Sequence, residues 1–109
     1  MIYVTIYENS EQEYIAFQCV GHAEYADAGE DIICAAVSAL VINTINSIEH
    51  LVSDEFNIVT NQESGLIDFS LKEEYSKDSL LLIRSLALGL QGIQNNYGSE
   101  YITLIFKEV

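Results

Sequence analysis

Ile2, Val4 and Ile6 alternate with Tyr3, Thr5 and Tyr7 at the start of the chain, the period-two pattern of a strand with one buried face. A polar turn from Asn9 to Glu13 follows. Tyr14 to Val20 then alternates again, with Ile15, Phe17 and Cys19 on one face and Ala16, Gln18 and Val20 on the other, and the two strands predict a hairpin. Beyond residue 31 the spacing changes to steps of three and four. Val37, Leu40, Val41, Thr44, Ile45, Ile48 and Val52 form one stripe, which predicts a helix from about Ile32 to Val52 with Asp31 as its N-cap. His50 falls near the end of that helix, where a cation meets the carboxyl-terminal dipole.

Phe56, Ile58 and Thr60 against Asn57, Val59 and Asn61 predict a third strand, and Leu66 to Leu71 a fourth. Gln62 to Gly65 forms the turn between them, with Gly65 supplying its positive φ. Ser76 or Ser79 caps a second helix that runs to about Asn95 and exits at Gly98. From Leu80 to Leu90 this helix is apolar almost all the way round, with Arg84 and Ser85 as the polar interruptions. One sheet cannot cover every face of a helix, so a second copy of the chain is the expected partner for the remainder. Tyr101 to Lys107 makes a fifth strand. The order is therefore ββαββαβ: an α+β fold with a five-stranded mixed sheet and two main helices packed on it, in a single domain spanning residues 1–109.

The 109 residues carry 17 Asp/Glu against 4 Lys/Arg, a formal net charge of −13. Nucleic acid is excluded as a partner, because no basic footprint is available to neutralise phosphates. An anionic membrane leaflet repels the chain for the same reason. The run Leu80 to Ile83, stopped by Arg84, is far short of a membrane span, and the amino terminus has no signal-peptide pattern. The expected setting is the cytoplasm, where thiols stay reduced. The two cysteines are accordingly read as one buried, Cys19, and one reactive, Cys34.

The candidate chemistry lies between the second strand and the first helix. His22 and Cys34 are twelve positions apart. A cysteine attacks as its thiolate, and an imidazole that titrates near neutrality can take the thiol proton and return one to a leaving amine. If Asp31 is the cap, Cys34 falls in the first helical turn, where the amides of Cys34 and Ala35 are candidate oxyanion donors. Ser38 lies one turn further along the same face. Asp31 is also a candidate to orient His22. Gly21 permits an unusual backbone turn next to the histidine. In the connecting loop, Glu24, Tyr25 and Asp27 are candidates to meet substrate, the carboxylates drawing a basic one, and the loop is a candidate lid. A metal site from His22, Asp27, Asp31 and Cys34 matches no common zinc spacing, and no cofactor motif follows a strand.

Gly21-His22-Ala23, the spaced Gly29 and Asp31, and Cys34-Ala35-Ala36-Val37-Ser38-Ala39-Leu40 together resemble the signature of the ribosomal-processing cysteine protease family, Prp. The likeness extends over essentially the whole chain in length and element order. It implies a cytoplasmic, homodimeric endopeptidase. In that family the enzyme removes a short amino-terminal extension from a basic large-subunit ribosomal protein, the twenty-seventh, and positions matching Cys34 and His22 form the catalytic pair. Gly21, Asp31 and Ser38 fall within the same motif. Two other readings of the residues stay open. One is a non-catalytic assembly factor that binds a basic ribosomal protein through its acidic surface, and the other a hydrolase acting on a different acyl bond.

Overall fold

A computed structural model of the chain describes residues 1–21, 28–98 and 100–109, residues 28–31 by their backbone alone. Its elements are β1 (Ile2–Glu8), β2 (Tyr14–Val20), α1 (Ala28–Leu51), β3 (Phe56–Asn61), β4 (Leu66–Leu71), α2 (Lys77–Tyr97) and β5 (Ile102–Glu108). The expected order ββαββαβ and the five-stranded mixed sheet with two helices are what the chain forms. Strand neighbours follow the order β3-β4-β2-β1-β5. β1 runs antiparallel to β2 and parallel to β5, and β4 is antiparallel to both β2 and β3. The β1–β2 turn is held by Asn9, whose Oδ1 accepts from the amides of Glu11 and Glu13 at 3.0 Å each, an Asx turn of the kind a polar Asn-initiated linker favours. Gly65 takes φ +64° at the β3–β4 turn, as its position demands.

The alternation of β1 places Ile2, Val4 and Ile6 in the core while Tyr3 is exposed. Phe17 and Phe69, cross-strand partners on β2 and β4, stack with centroids 4.9 Å apart, and Phe56 tilts onto Phe69 from β3 at 4.9 Å. Against them pack Ile33, Val37, Val41, Ile45 and Ile48 of α1 and Ile83, Leu86, Ala87 and Leu90 of α2. Cross-strand aromatic pairs add to simple area burial in such a layer. The segment Ile32–Leu51 of α1 is, by length and composition, apolar enough to cross a membrane, so the run from Leu80 to Ile83 was not the stretch to weigh against a span. In the fold its core stripe packs under the sheet, with Thr44 sending its hydroxyl to the Leu40 carbonyl at 2.8 Å.

Helix α2 begins at Ser76, which has extended backbone and a side chain that accepts from the Ser79 amide at 3.5 Å. Of the two candidate caps Ser76 is the one used. The helix ends where Gly98, at φ +89°, donates its amide to the Gln94 carbonyl at 2.9 Å. As the all-round apolarity of Leu80 to Leu90 required, a face is left over: Leu81 and Leu88 remain largely exposed.

Candidate active site

Helix α1 starts at Ala28, three residues before the expected Asp31 cap. Asp31 therefore lies within the first turn, and Cys34 and Ala35 are the seventh and eighth helical residues. Only the first four amides of a helix lack an intrahelical partner. The reading of the Cys34 and Ala35 amides as free terminal oxyanion donors is corrected accordingly, and Cys34 sits one turn beyond the strongest part of the helix dipole. The stretch Gly29-Glu30-Asp31 continues the helix instead of capping it, which a cap reading based on Asp31 alone had no means to anticipate.

Cys34 is half-buried on a cleft of about 450 Å³. Among the described residues, three elements build it. From α1 come Cys34, Ser38 and Ile42, each four residues from the last and so on one helical face, with Val37 and Val41 behind them. The tip of the β3–β4 hairpin supplies the opposite wall through Thr60, Asn61, Gln62, Gly65 and Leu66. The floor is the end of the sheet, where Ile2, Cys19, Gly21 and Ile67 meet. The lining is mainly apolar with a few polar groups at one side, the usual make-up of a site for an apolar ligand segment.

Gly21, Cys34 and Ser38, read from the sequence as parts of one motif, share this cleft. Gly21 has φ +106°, and its amide donates to the Ser64 carbonyl at 3.1 Å, which ties the end of β2 to the hairpin tip. Ala35 is exposed on α1 and is not among the lining residues. His22, Glu24, Tyr25 and Asp27 lie outside the described residues, as does the side chain of Asp31. The described chain enters that segment at Gly21, on the cleft floor. His50 is exposed at the far end of α1. Sixteen residues of helix at about 1.5 Å each put it roughly 24 Å from Cys34 along the axis, out of reach of the thiol. Among the described residues no group of three or more His, Cys, Asp or Glu is placed to hold a metal ion.

The alternation of β2 correctly made Cys19 a buried residue, but gave no hint that it shares a cleft with Cys34. Burial, with a smaller contribution from the neighbouring Cys34, pushes the Cys19 thiol up to about 11. The hairpin residues Thr60, Asn61, Gln62 and Leu66 were also not legible as site residues. Their place depends on which strands are neighbours, and a hydrophobic pattern does not encode that.

The model of the family described as "Cysteine protease Prp" matches residues 1–103. The ribosomal processing cysteine protease Prp of Bacillus subtilis is 30% identical over 101 residues, 89% of this chain and 90% of the relative. The protein of the same name from Staphylococcus aureus is 29% identical over 107 residues, 98% of this chain and 100% of the relative. Among solved structures, the S. aureus Prp protease in complex with a substrate peptide superposes with a TM-score of 0.90 at 28% identity, covering 98% of this chain and 100% of that one. The same enzyme with a covalently linked product peptide gives 0.87 at 29% identity, with the same coverage of 98% and 100%. With the family pattern matched along nearly its whole length and a cysteine open to an apolar cleft, the chain belongs to the Prp family of cysteine proteases and is itself a cysteine protease.

Proposed function

We propose that this protease removes the short amino-terminal extension of a basic large-subunit ribosomal protein, the twenty-seventh, with Cys34 as nucleophile and His22 as general base. His22 takes the Cys34 proton, and the thiolate adds to the carbonyl carbon of the scissile bond. The protonated imidazole returns the proton to the leaving amine, and water, activated by the same imidazole, releases the acyl group from sulfur. The chain has two histidines, and the position of His50 at the opposite end of α1 favours His22 for this role. Ser38 adds a hydroxyl to the same cleft wall. Glu24, Tyr25 and Asp27 lie in the loop proposed to meet the substrate, and Asp31 is proposed to orient the imidazole.

The observation that carries the reading is Cys34 on an apolar cleft large enough for a bulky side chain, in a chain of family-wide match. The net charge of −13 supports a basic substrate, since complementary charge speeds encounter. The exposed Leu81 and Leu88 on α2 support a homodimer, and the proposed ribosomal substrate supports a cytoplasmic setting. The test is mass spectrometry of the precursor before and after incubation. Wild type is expected to release the extension at one bond, Cys34→Ala and His22→Ala to leave the precursor intact. Wild type that binds the precursor and leaves it uncut would overturn the substrate proposed here.

A further inference from the structure

Two thiols face the same cleft, and the proposed mechanism uses one of them. Cys34 lines it from α1 and Cys19 from the floor. Cys19 pairs with Val4 and Ile67 across the sheet. Val4 is a core residue and Ile67 is packed against the core, so the Cys19 sulfur points from the sheet toward α1. Both cysteines are free. We propose that Cys19 and Cys34 form a reversible oxidation site, in which a hydroperoxide oxidises Cys34 and Cys19 captures the product as a disulfide that closes the cleft.

The chemistry balances in two steps. The Cys34 thiolate attacks one oxygen of the hydroperoxide, the O–O bond breaks, sulfur is oxidised to the sulfenic acid, and the other oxygen leaves as water or an alcohol after taking a proton. The Cys19 sulfur then attacks the Cys34 sulfur, the S–O bond breaks, and the hydroxyl leaves as water with the Cys19 proton. A dithiol such as dithiothreitol reverses the second product to two thiols. Burial keeps Cys19 protonated at neutral pH and slow toward dissolved reagents, whereas a sulfenic acid on Cys34 forms on the cleft that Cys19 itself lines. Without capture, a sulfenic acid continues to the sulfinic acid, which a dithiol does not restore. Cys19 thus protects the nucleophile at the cost of a temporary halt.

The effect on cleavage rests on the protease reading, whereas the disulfide is measured without it. The purified full chain is treated with hydrogen peroxide, blocked by alkylation and digested without reductant. The expected result is a pair of peptides joined through Cys19 and Cys34, about 2 Da lighter than their sum and separated by dithiothreitol. Cys19→Ala is expected to accumulate Cys34 about 32 Da heavier under the same treatment, not reversed by dithiothreitol. Wild type that gains the same mass at Cys34 while Cys19 stays alkylatable, or that links Cys34 only between two copies, would overturn the proposal. This wild-type readout decides the matter even if the variant does not fold. If the disulfide forms in a protein that cuts no precursor, the proposed ribosomal substrate fails and the oxidation site stands.

Discussion

The backbone at Gly21 passes so close to the carbonyl oxygen of Met1 that a β-carbon on Gly21 has no room, and its φ of +106° is one that side chains disfavour. Two separate penalties thus act at the point where β2 hands the chain to the His22 segment. Gly21→Ala is predicted to destabilise the fold by about 2–3 kcal/mol, of which about 1 comes from the backbone conformation and the rest from displacing the β1 amino terminus. Because Gly21 also lines the cleft and ties to Ser64, cleavage of the precursor should fall even at temperatures where the variant remains folded. Urea unfolding and precursor cleavage measured on one preparation check both parts.

Asp54 organises the start of α2. Its Oδ2 accepts from the Ser79 hydroxyl at 2.6 Å and from the amide and hydroxyl of Ser76 at 2.7 Å each. The Ser79 hydroxyl first, then the Ser76 groups, hold the carboxyl below its ordinary value. A carboxylate with a depressed folded pKa contributes stability that is present above its unfolded value near 4 and disappears as pH falls through the folded one. Asp54→Ala should therefore cost about 1–2 kcal/mol at pH 7, the scale of a lost helix cap. The gap from wild type should narrow progressively below about pH 4, in the range where Asp54 takes up its proton. Equal destabilisation at pH 7 and pH 3 would contradict the assignment.

What the sequence made legible was local. Alternation located the strands and the steps of three and four located α1, because burial on one face forces those periods, whereas α2 was located by its capping serine and its exit glycine. Val37, Val41, Thr44, Ile45 and Ile48 were identified as the buried stripe of α1 and are buried. Ile33, inside the predicted helix and four residues before Val37, is buried on the same stripe and was not counted in it. The all-round apolarity of Leu80 to Leu90 called for surplus apolar surface without saying which residues carry it, and the structure puts it on Leu81 and Leu88. The cleft was less accessible. Gly21, Cys34 and Ser38 were found from motif spacing, but Asn61, Gln62 and Leu66 reach the site through the β3–β4 hairpin, which lies beside β2 only because of the order β3-β4-β2-β1-β5. Strand order depends on tertiary contacts that no local period records. The same holds for Cys19, whose burial was readable and whose neighbour was not.

The two thiols should differ sharply toward alkylating agents. A thiol with a pKa of about 11 is ionised in roughly one molecule in a thousand at pH 8, and Cys19 is also 7% exposed. Cys34 stands half-buried on an open cleft. Limiting iodoacetamide at pH 8 is predicted to modify Cys34 at least about tenfold faster than Cys19, as peptide mapping over time would show. Modification of Cys34 should parallel loss of cleavage. Faster labelling of Cys19 would mean that the cleft floor opens to solvent.

Among the described residues Ile42 is the exposed apolar member of the cleft lining. It is 49% exposed and continues the α1 face of Cys34 and Ser38 toward the hairpin wall. Its side chain has little burial to lose on substitution, so Ile42→Ser should cost about 1 kcal/mol or less in stability. An apolar substrate residue lying on it would lose a comparable contact, which corresponds to about a fivefold rise in KM. The contact exists in the bound substrate and in the transition state alike, so kcat should change little. Steady-state cleavage of a precursor peptide separates the two constants. A fall in kcat at constant KM would place Ile42 beside the reacting bond, and no change in either would place the substrate against the hairpin wall alone.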